Sequence, residues 1–343
     1  MIAELFVAVI GIGVAIRVLP SIILLSQFSY PNAKFSAIEP VFLREKEIAR
    51  LLESKNLEEL KNNVISKDFI LEGEEARELQ KSIEESHKKI ILMAIEDSPK
   101  KVQSFYEMWI KKMDAEKLKE AIRNIIEDRE IEVEPTSIEM KELIERLRKV
   151  EQAEVERVLK EYGYLISLEM PIEEIEKEID KKIIEDFKQL TLPKSCKKAI
   201  EKFVGTWIDI LNIKTILRGK HYGMEAIDII EGGWEVSKWK IEELLKVDYI
   251  PEIISLLEGT SYYPALRDAI TDFEKEGVIA LERALDKYLL QAVGMIANEY
   301  PLSIGPGIRF MVEKETEARN LKAVAKAVAE EMPEEAWKVV VVI

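Results

Sequence analysis

The amino-acid sequence predicts an all-α protein built from three related helical units. Two compositional features support this fold class. Glycine and proline are scarce, at 14 and 12 of 343 residues, while helix-forming Glu, Lys, Leu, Ile and Ala are abundant. A third observation is a ten-residue pattern that recurs three times on predicted helices. Residues 339–343 are a β-prone run at the C-terminus, where we expect a frayed end.

The charge balance and the cysteine count limit the possible partners and the compartment. The chain has 65 acidic and 50 basic residues, so its net charge is −15. Proteins that bind nucleic acid duplexes usually carry the opposite balance, and we therefore expect no nucleic acid partner. The single cysteine cannot form a disulfide within the chain, which fits a reducing compartment.

Residues 1–29 differ in composition from the rest of the chain. The stretch 5–25 carries one charge, Arg17, and as a helix these 21 residues would span roughly 30 Å, which is the thickness of a bilayer core. Arg17 and Pro20 interrupt the run. A secretory signal peptide is disfavoured because Glu4 stands where basic residues belong. The sequence predicts an apolar N-terminal helix that contacts a membrane or is buried against another protein.

A repeated pattern places three related helices along the remaining chain. Its order is an acid, two residues, a polar residue, Leu or Ile, Lys, two residues, an aliphatic residue and a base. The copies, called marker helices below, occupy residues 114–123, 209–218 and 317–326. Their apolar positions fall on one face of a helix, and the acid-first order suits the helix dipole. In the first copy Lys117 stands where the other two have Asn.

The spacing of further landmarks predicts the domain organisation. Each marker polar residue follows a proline by 18 or 19 residues, and corresponding marker positions lie 95 and 108 residues apart. Breaker-rich joints are expected near residues 127–137 and at Gly232-Gly233. The predicted organisation is, in chain order, an apolar segment 1–29 and the helical units 30–130, 131–232 and 233–343. From the pattern alone, the units pack around a pseudo-threefold axis or stack as a short solenoid.

Residues that usually carry catalysis or bind metals are few. Gly219-Lys220 lacks the glycines and hydroxyl residue of a phosphate loop, and one Glu84-x-x-His87 pair is half of a di-iron site. His87 is expected to be a solvated helix residue, His221 a cap or loop residue, and Cys196 a half-buried helix residue. The sequence predicts no catalytic residue, no metal, no cofactor and no small-molecule substrate.

Aromatic and charged residues suit an interaction protein. For Trp207, Trp234 and Trp239 we favour core packing over a partner contact. A solvated face is the first expectation for the charged residues of the marker helices, and interface ion pairs are the second. The candidate interface residues are Asp209, Asn212, Lys214, Arg218, Glu317, Arg319, Asn320 and Lys322.

Several segments together resemble a known family. The stretches are 300–306 (YPLSIGP), 313–322 (EKETEARNLK), 209–220 (DILNIKTILRGK), 256–262 (LLEGTSY) and 30–34 (YPNAK). They are similar to the signature of the C subunit of A-type ATP synthases, the counterpart of the d subunit of vacuolar-type ATPases. The resemblance covers residues 30–335, and the third unit is its most specific part.

The resemblance implies a fold and a function. It implies an all-helical funnel of three three-helix-bundle units with pseudo-threefold symmetry. It also implies a non-catalytic component of the central stalk on the cytoplasmic face of the membrane, a socket that couples the D and F stalk subunits to the proteolipid rotor ring. The coupled ion, proton or sodium, is decided in the ring. We further expect an acidic lining of the socket to meet a basic stalk foot.

One segment departs from the family pattern and leaves an alternative open. The family usually begins near residue 30, so the apolar segment 1–29 is an addition. It could lie in or on the ring, or pack back against the funnel, or reflect a start assigned too early. The alternative function is a helical-repeat adaptor or scaffold with soluble partners, which would show the same fold without a proteolipid ring.

Overall fold

The computed structural model describes residues 19, 22, 23, 26–224 and 227–343. Most of the apolar segment 1–29, for which the sequence predicts a membrane or protein contact, therefore lies outside the described residues. Within the described part of the chain, no helix combines the length and the apolarity needed to span a membrane.

The described residues form helices and no β-strand, which confirms the all-α prediction. Helix α1 covers residues 26–37. The following helices are α2 (Glu45–Leu52), α3 (Leu57–Asn63), α4 (Ala76–Asp97), α5 (Gln103–Ile126), α6 (Ile138–Leu147), α7 (Gln152–Glu161), α8 (Ile172–Lys188), α9 (Lys194–Tyr222), α10 (Lys238–Leu245), α11 (Ile250–Leu256), α12 (Tyr263–Asp268), α13 (Ile270–Glu276), α14 (Val278–Glu299), α15 (Gly305–Ala329) and α16 (Pro333–Trp337).

Local sequence explains where several helices begin and end. Ser137 and Ser237 cap α6 and α10, each accepting a hydrogen bond from the backbone N–H three residues later. Pro193 stands immediately before α9, as the repeat predicted. Gly223, with φ of 67°, ends α9 in the left-handed conformation that glycine adopts without strain.

Six long helices form a closed circuit of pairwise contacts. Helix α4 packs on α5, α5 on α8, α8 on α9, α9 on α14, α14 on α15, and α15 packs back on α4. The three marker helices are α5, α9 and α15, so they alternate around the circuit with α8, α14 and α4. The shorter helices lie between the long pairs along the chain. This circuit encloses the cavity described below.

The apolar core has two parts that meet on α9. The larger cluster contains Phe105, Trp109 and Phe187 and extends to both chain ends of the described region. The smaller cluster joins the second half of α9, from Ile210 onward, to α10, α11, α12 and the first half of α14. The predicted division into units 30–130, 131–232 and 233–343 stays a prediction.

The C-terminal run is anchored, so the expectation of a frayed end is wrong. Val340 and Val341 are buried. Asn320 receives a hydrogen bond from the Val341 backbone N–H at 2.9 Å, and Ile343 donates its N–H to the Leu43 carbonyl at 2.8 Å. The C-terminus is therefore fixed against the turn before α2 without forming a strand.

Candidate interaction site: a central cavity and the contacts that enclose it

Five of the six long helices line a cavity of about 440 Å³. Its lining mixes apolar and aromatic residues with ionised ones. The lining residues on α4, α5, α9, α14 and α15 are Glu84, His87, Trp109, Lys112, Met113, Glu116, Lys117, Phe203, Trp207, Ile210, Leu211, Lys214, Asp286, Leu289, Val312, Glu315, Thr316, Ala318, Arg319 and Lys322. Eight of the twenty are marker-helix residues within the three ten-residue copies, so the repeat faces this cavity.

One wall of the cavity is an aromatic stack. The rings of Trp109, Phe203 and Trp207 follow one another nearly in parallel, with centroids 6.1 Å apart at both steps. The Lys112 ammonium lies 4.7 Å from the centre of the Trp207 ring, which is a cation–π distance. Trp207 is half-buried on this wall, so it contributes both to the core, as expected, and to the cavity surface.

The ionised groups of the lining are already paired within the chain. Glu84 lies 2.8 Å from the ammonium of Lys117 and 2.6 Å from that of Lys322. Burial opposes ionisation of Glu84, but the two ammonium groups hold its pKa below the usual value. Asp286 likewise lies 2.6 Å from Lys214 and 3.3 Å from Arg319.

Glu315 is the third paired acid of the lining. Its carboxylate lies 2.6 Å from the Lys112 ammonium and accepts a hydrogen bond from the Trp109 indole at 3.1 Å. Burial opposes ionisation of Glu315, and Lys112 outweighs it, so the pKa of the carboxyl is lowered. The lining has five lysine or arginine residues and four carboxylates, so this cavity does not have the acidic lining that we expect of a socket.

His87 is the exception in this paired lining. It lies on the inner face of α4 and is 6% exposed, so the expectation of a solvated residue is wrong. Ile83, Ile90 and Ile91 share its face, which draws it inward. Its Nε2 has no hydrogen-bond partner among the described residues. Burial lowers the pKa of His87 to about 4, so the imidazole is neutral at pH 7.

The acid that opens each ten-residue copy of the pattern is buried. It binds the backbone that leads into a neighbouring set of short helices. Asp114 accepts hydrogen bonds from the N–H groups of Thr136 and Ser137, at 2.6 and 2.8 Å, just before α6. Glu317 accepts one from the N–H of Phe42 at 2.8 Å, just before α2. The solvated face expected for Glu317 is therefore wrong, since this side chain is 1% exposed.

Asp209 makes the most extensive of these contacts. Its Oδ2 accepts hydrogen bonds from the N–H groups of Trp234, Glu235 and Val236, at 2.9, 2.6 and 3.2 Å, just before α10. The Tyr262 hydroxyl donates a fourth at 2.8 Å. Asp209 is fully buried, so a solvated face is wrong here as well. Burial raises the pKa of the Asp209 carboxyl, and the four hydrogen bonds offset this effect only in part.

The contact of Glu317 contains an additional cation. Lys314, one turn earlier on α15, is 1% exposed and lies 2.7 Å from both Glu317 and Asp68. This buried pair joins α15 to the loop that follows α3. Removing one member of such a group typically costs about 3–5 kcal/mol, because the other charge is left buried and unpaired.

The marker asparagines bind backbone groups outside their own helices. Asn212 exchanges two hydrogen bonds with the backbone of Ile230, at 2.8 and 2.9 Å. Asn320 donates to the carbonyls of Phe42 and Val341, at 2.9 and 2.7 Å. An amide both donates and accepts, so it can satisfy a backbone segment that lacks helical partners.

The marker lysines pair across the seams between long helices. Lys119 lies 2.7 Å from Asp180 on α8, while Lys214 and Lys322 meet Asp286 on α14 and Glu84 on α4. The marker arginines repeat this: Arg218 binds Glu282 with two hydrogen bonds of 2.8 Å, and Arg123 pairs with Glu176. In each case the acceptor lies on the neighbouring long helix of the circuit.

The candidate interface residues therefore differ in accessibility. Asp209, Asn212, Glu317 and Asn320 are buried with partners inside the chain, whereas the side chains of Arg218 and Arg319 are half exposed. Lys214 and Lys322 line the cavity. The role of these eight residues in binding a partner stays a prediction, whereas their contacts within the chain are observed.

Other residues noted in the sequence have mixed outcomes. Trp234 and Trp239 are 49% and 63% exposed, so the core packing favoured for them is wrong. Ser237 caps α10, whose Ile241 and Leu244 face inward, and this leaves Trp239 outside. Cys196 is on a helix as expected but fully buried.

Sequence reasoning missed the residues that give the cavity its character. Lys112, Trp109 and Glu315 did not stand out, because their pairing joins α5 to α15 across some 200 residues of sequence. A signal was present for the buried acids. Asp209 stands four and seven residues before Ile213 and Ile216, on the apolar face of its helix. A charge on that face requires a partner.

The fold and the cavity define an all-helical protein whose related long helices enclose a charged and aromatic cavity. A family model described as ATP synthase (C/AC39) subunit matches residues 31–338. The chain belongs to this family, and it is a structural subunit of an ATP synthase complex, one that carries no catalysis of its own.

Curated relatives support the assignment over nearly the whole chain. The C subunit of the A-type ATP synthase from Methanocaldococcus jannaschii is 29% identical over 343 residues, covering 91% of this chain and 85% of the relative. The protein of the same name from Methanothermobacter thermautotrophicus is 28% identical, covering 93% and 89%. Its counterpart from Pyrococcus abyssi is 26% identical, covering 88% and 86%.

Proposed function

We propose that this protein is the C subunit in the central stalk of an A-type ATP synthase. In this role it is a socket on the cytoplasmic face of the membrane that receives the stalk foot formed by the D and F subunits. It rests on the proteolipid rotor ring and transmits torque between ring and catalytic head. The observation that carries the proposal is the closed circuit of long helices around a cavity, in a chain of this family.

The seams of the circuit suit a torque-bearing part. A coupler fails if its parts separate under load. Here a lysine–carboxylate pair ties each marker helix to the next long helix of the circuit. A buried acid also ties each marker helix to the segment that leads into a set of short helices. Charge-assisted hydrogen bonds to backbone groups are short and directional, so they resist sliding of one helix past another. The repetition at all three seams favours three-helix-bundle units arranged around a pseudo-threefold axis.

The segment 1–29 completes the proposal at the membrane. We assign it a contact with the rotor ring or the surrounding lipid, because a run with one charge in residues 5–25 leaves a large apolar surface to cover. The units 30–130, 131–232 and 233–343 then form the socket above it.

The test is a gentle detergent extraction of native membranes with a tag at the C-terminus, where the Ile343 side chain is 54% exposed. Recovery of the ATPase head, the D and F subunits and the proteolipid ring is the expected result. Soluble partners alone would overturn the proposal in favour of the adaptor alternative. A matched variant lacking residues 1–25 retains the buried Phe28 and should lose the ring while keeping D and F.

A further inference from the structure

The first turns of α5, α9 and α15 meet at one end of the circuit. Ser303, just before α15, donates hydrogen bonds to the Ser195 carbonyl and the Cys196 sulfur, at 3.0 and 3.5 Å. A Cβ on Gly307 in α15 would lie 2.0 Å from the Tyr106 hydroxyl of α5. The cavity lining begins further along these helices, so their starts close the circuit here. This part of the molecule is called the closed end below.

The chain enters the fold at the closed end. Asn32 on α1 donates to the carbonyls of Pro301 and Ser303, at 3.0 and 2.9 Å. Phe35, nearly one turn later, stacks on Phe310 with ring centroids 4.6 Å apart. Helix α1 therefore runs beside α15 in the same direction, and the residues before it lead in at the closed end. Those that the structure describes are helical, apolar and 49–56% exposed, and they are Leu19, Ile22 and Ile23.

Four exposed lysines surround the helix starts at the closed end. Lys100 and Lys101 stand shortly before α5, and Lys194 and Lys198 lie on the first two turns of α9. Within the part of the chain that the structure describes, no carboxylate lies within ion-pair distance of these four ammonium groups. Their charge is therefore available to a partner outside the chain.

The acids nearby do not cancel this charge. The exposed acids within seven residues of the four lysines are Glu96, Glu107 and Glu201. Glu201 is paired with Lys197 at 3.6 Å, which leaves Glu96 and Glu107 against four lysines. The chain as a whole has a net charge of −15, but salt screens exposed charges that lie beyond about 8–10 Å. The closed end can therefore attract anions although the protein is acidic.

We propose that the closed end lies on a membrane surface that contains anionic phospholipids. The four lysines contact lipid phosphate groups, and Leu19, Ile22 and Ile23 enter the apolar layer beside them. An apolar anchor and a basic patch together bind a membrane more firmly than either does alone. The inference rests on the proposed function and adds to it which end of the subunit faces the membrane and which class of lipid it selects.

The experiment measures co-sedimentation of the purified full chain with lipid vesicles. One set of vesicles is phosphatidylcholine alone, and in the other roughly a third of the lipid is phosphatidylglycerol. The apparent Kd of the unaltered chain should be roughly hundredfold lower for the anionic vesicles, because each lysine near such a surface contributes a few-fold. Raising NaCl to about 500 mM should remove most of this preference, since salt screens exposed charges.

Two variants with the same change in net charge locate the effect. The closed-end variant carries Lys100→Gln, Lys101→Gln, Lys194→Gln and Lys198→Gln, and it should bind both kinds of vesicle equally well. The matched control changes four exposed lysines on short helices away from the closed end and should keep the preference; its substitutions are Lys46→Gln, Lys141→Gln, Lys160→Gln and Lys275→Gln. All eight side chains are exposed, so both variants should keep the melting temperature of the unaltered chain.

Three results would overturn the inference. The first is an unaltered chain that binds neutral and anionic vesicles equally well, and the second is the same preference in both variants. The third is release from anionic vesicles by inorganic phosphate at constant ionic strength, because the lysines would then bind free phosphate. None of these results affects the recovery of D, F and the proteolipid ring in the membrane extraction, which tests the proposed function separately.

Discussion

Replacing Asp209 tests whether the buried acids of the marker helices fasten the short helices to the long ones. In Asp209→Ala, the N–H groups of Glu235 and Val236 and the Tyr262 hydroxyl lose their acceptor, whereas the Trp234 N–H keeps the Gly205 carbonyl at 3.2 Å. Each unsatisfied buried group costs about 1–3 kcal/mol. Since water can reach Glu235, we expect a loss of about 3–5 kcal/mol in the free energy of unfolding.

The amide variant sharpens this prediction. All four hydrogen bonds end on Oδ2, and Oδ1 has no partner among the described residues. Asp209→Asn keeps one acceptor oxygen but exchanges charge-assisted bonds for neutral ones, so the expected loss is smaller, about 1–2 kcal/mol. The order of stability should be unaltered chain, Asp209→Asn, Asp209→Ala.

Urea unfolding, followed by circular dichroism and tryptophan fluorescence, measures these differences as shifts in the midpoint. The control is Asp268→Ala. Asp268 pairs with its neighbour Arg267 at the surface, where an ion pair contributes little. If Asp209→Ala lowered the midpoint no more than Asp268→Ala, the buried acid would not be holding α9 to the segment before α10. The reasoning would then be refuted.

Two further predictions concern close packing and pH. A Cβ on Gly233 would lie 1.8 Å from Asp209 Oδ1, so Gly233→Ala should lower the urea midpoint. The control is Gly294→Ala on α14, which has open space around it and should leave the midpoint unchanged or raise it. Equal midpoints for the two variants would contradict the close approach of Gly233 to Asp209. The pKa of His87 falls from 6.5 to about 4 on folding, so the unfolded chain binds more protons between these values, and stability is lost as the pH falls from about 6.5 towards 4. This loss should reach about 3 kcal/mol and be absent in His87→Leu; parallel pH profiles for the two proteins would show that His87 is not buried neutral.

Periodicity predicted the helices because it is a local property. The marker helices and their prolines are encoded within about 20 residues, and α5, α9 and α15 appear where the pattern places them. The contacts of the marker residues could not be predicted in the same way. Asp209 bonds to groups 25–53 residues away, and Glu317 to one 275 residues away, so their partners are set by tertiary packing and not by the local pattern.

The misjudged residues share one cause, which is that burial was inferred from the type of side chain and not from its position on the helix. His87 occupies the apolar stripe of α4 between Ile83 and Ile90, so its position on the helix predicts burial more strongly than its chemistry predicts exposure. Trp239 shows the reverse: its size suggests a core residue, but it lies outside the inward face of α10. Position on the helix decided burial in both cases.

The three contacts made by the buried acids follow one design, but they join residues at unequal separations along the chain. The backbone contacts of Asp114 and Asp209 join residues 22–27 apart, whereas the contact of Glu317 joins residues 275 apart. Closing a longer loop costs more conformational entropy, and the cost grows with the logarithm of its length. The contact at Glu317 includes a buried cation that offsets part of this cost, since Lys314 pairs with both Glu317 and Asp68. The return of α15 to the start of the chain is therefore the step on which the closed circuit, and with it the cavity, depends.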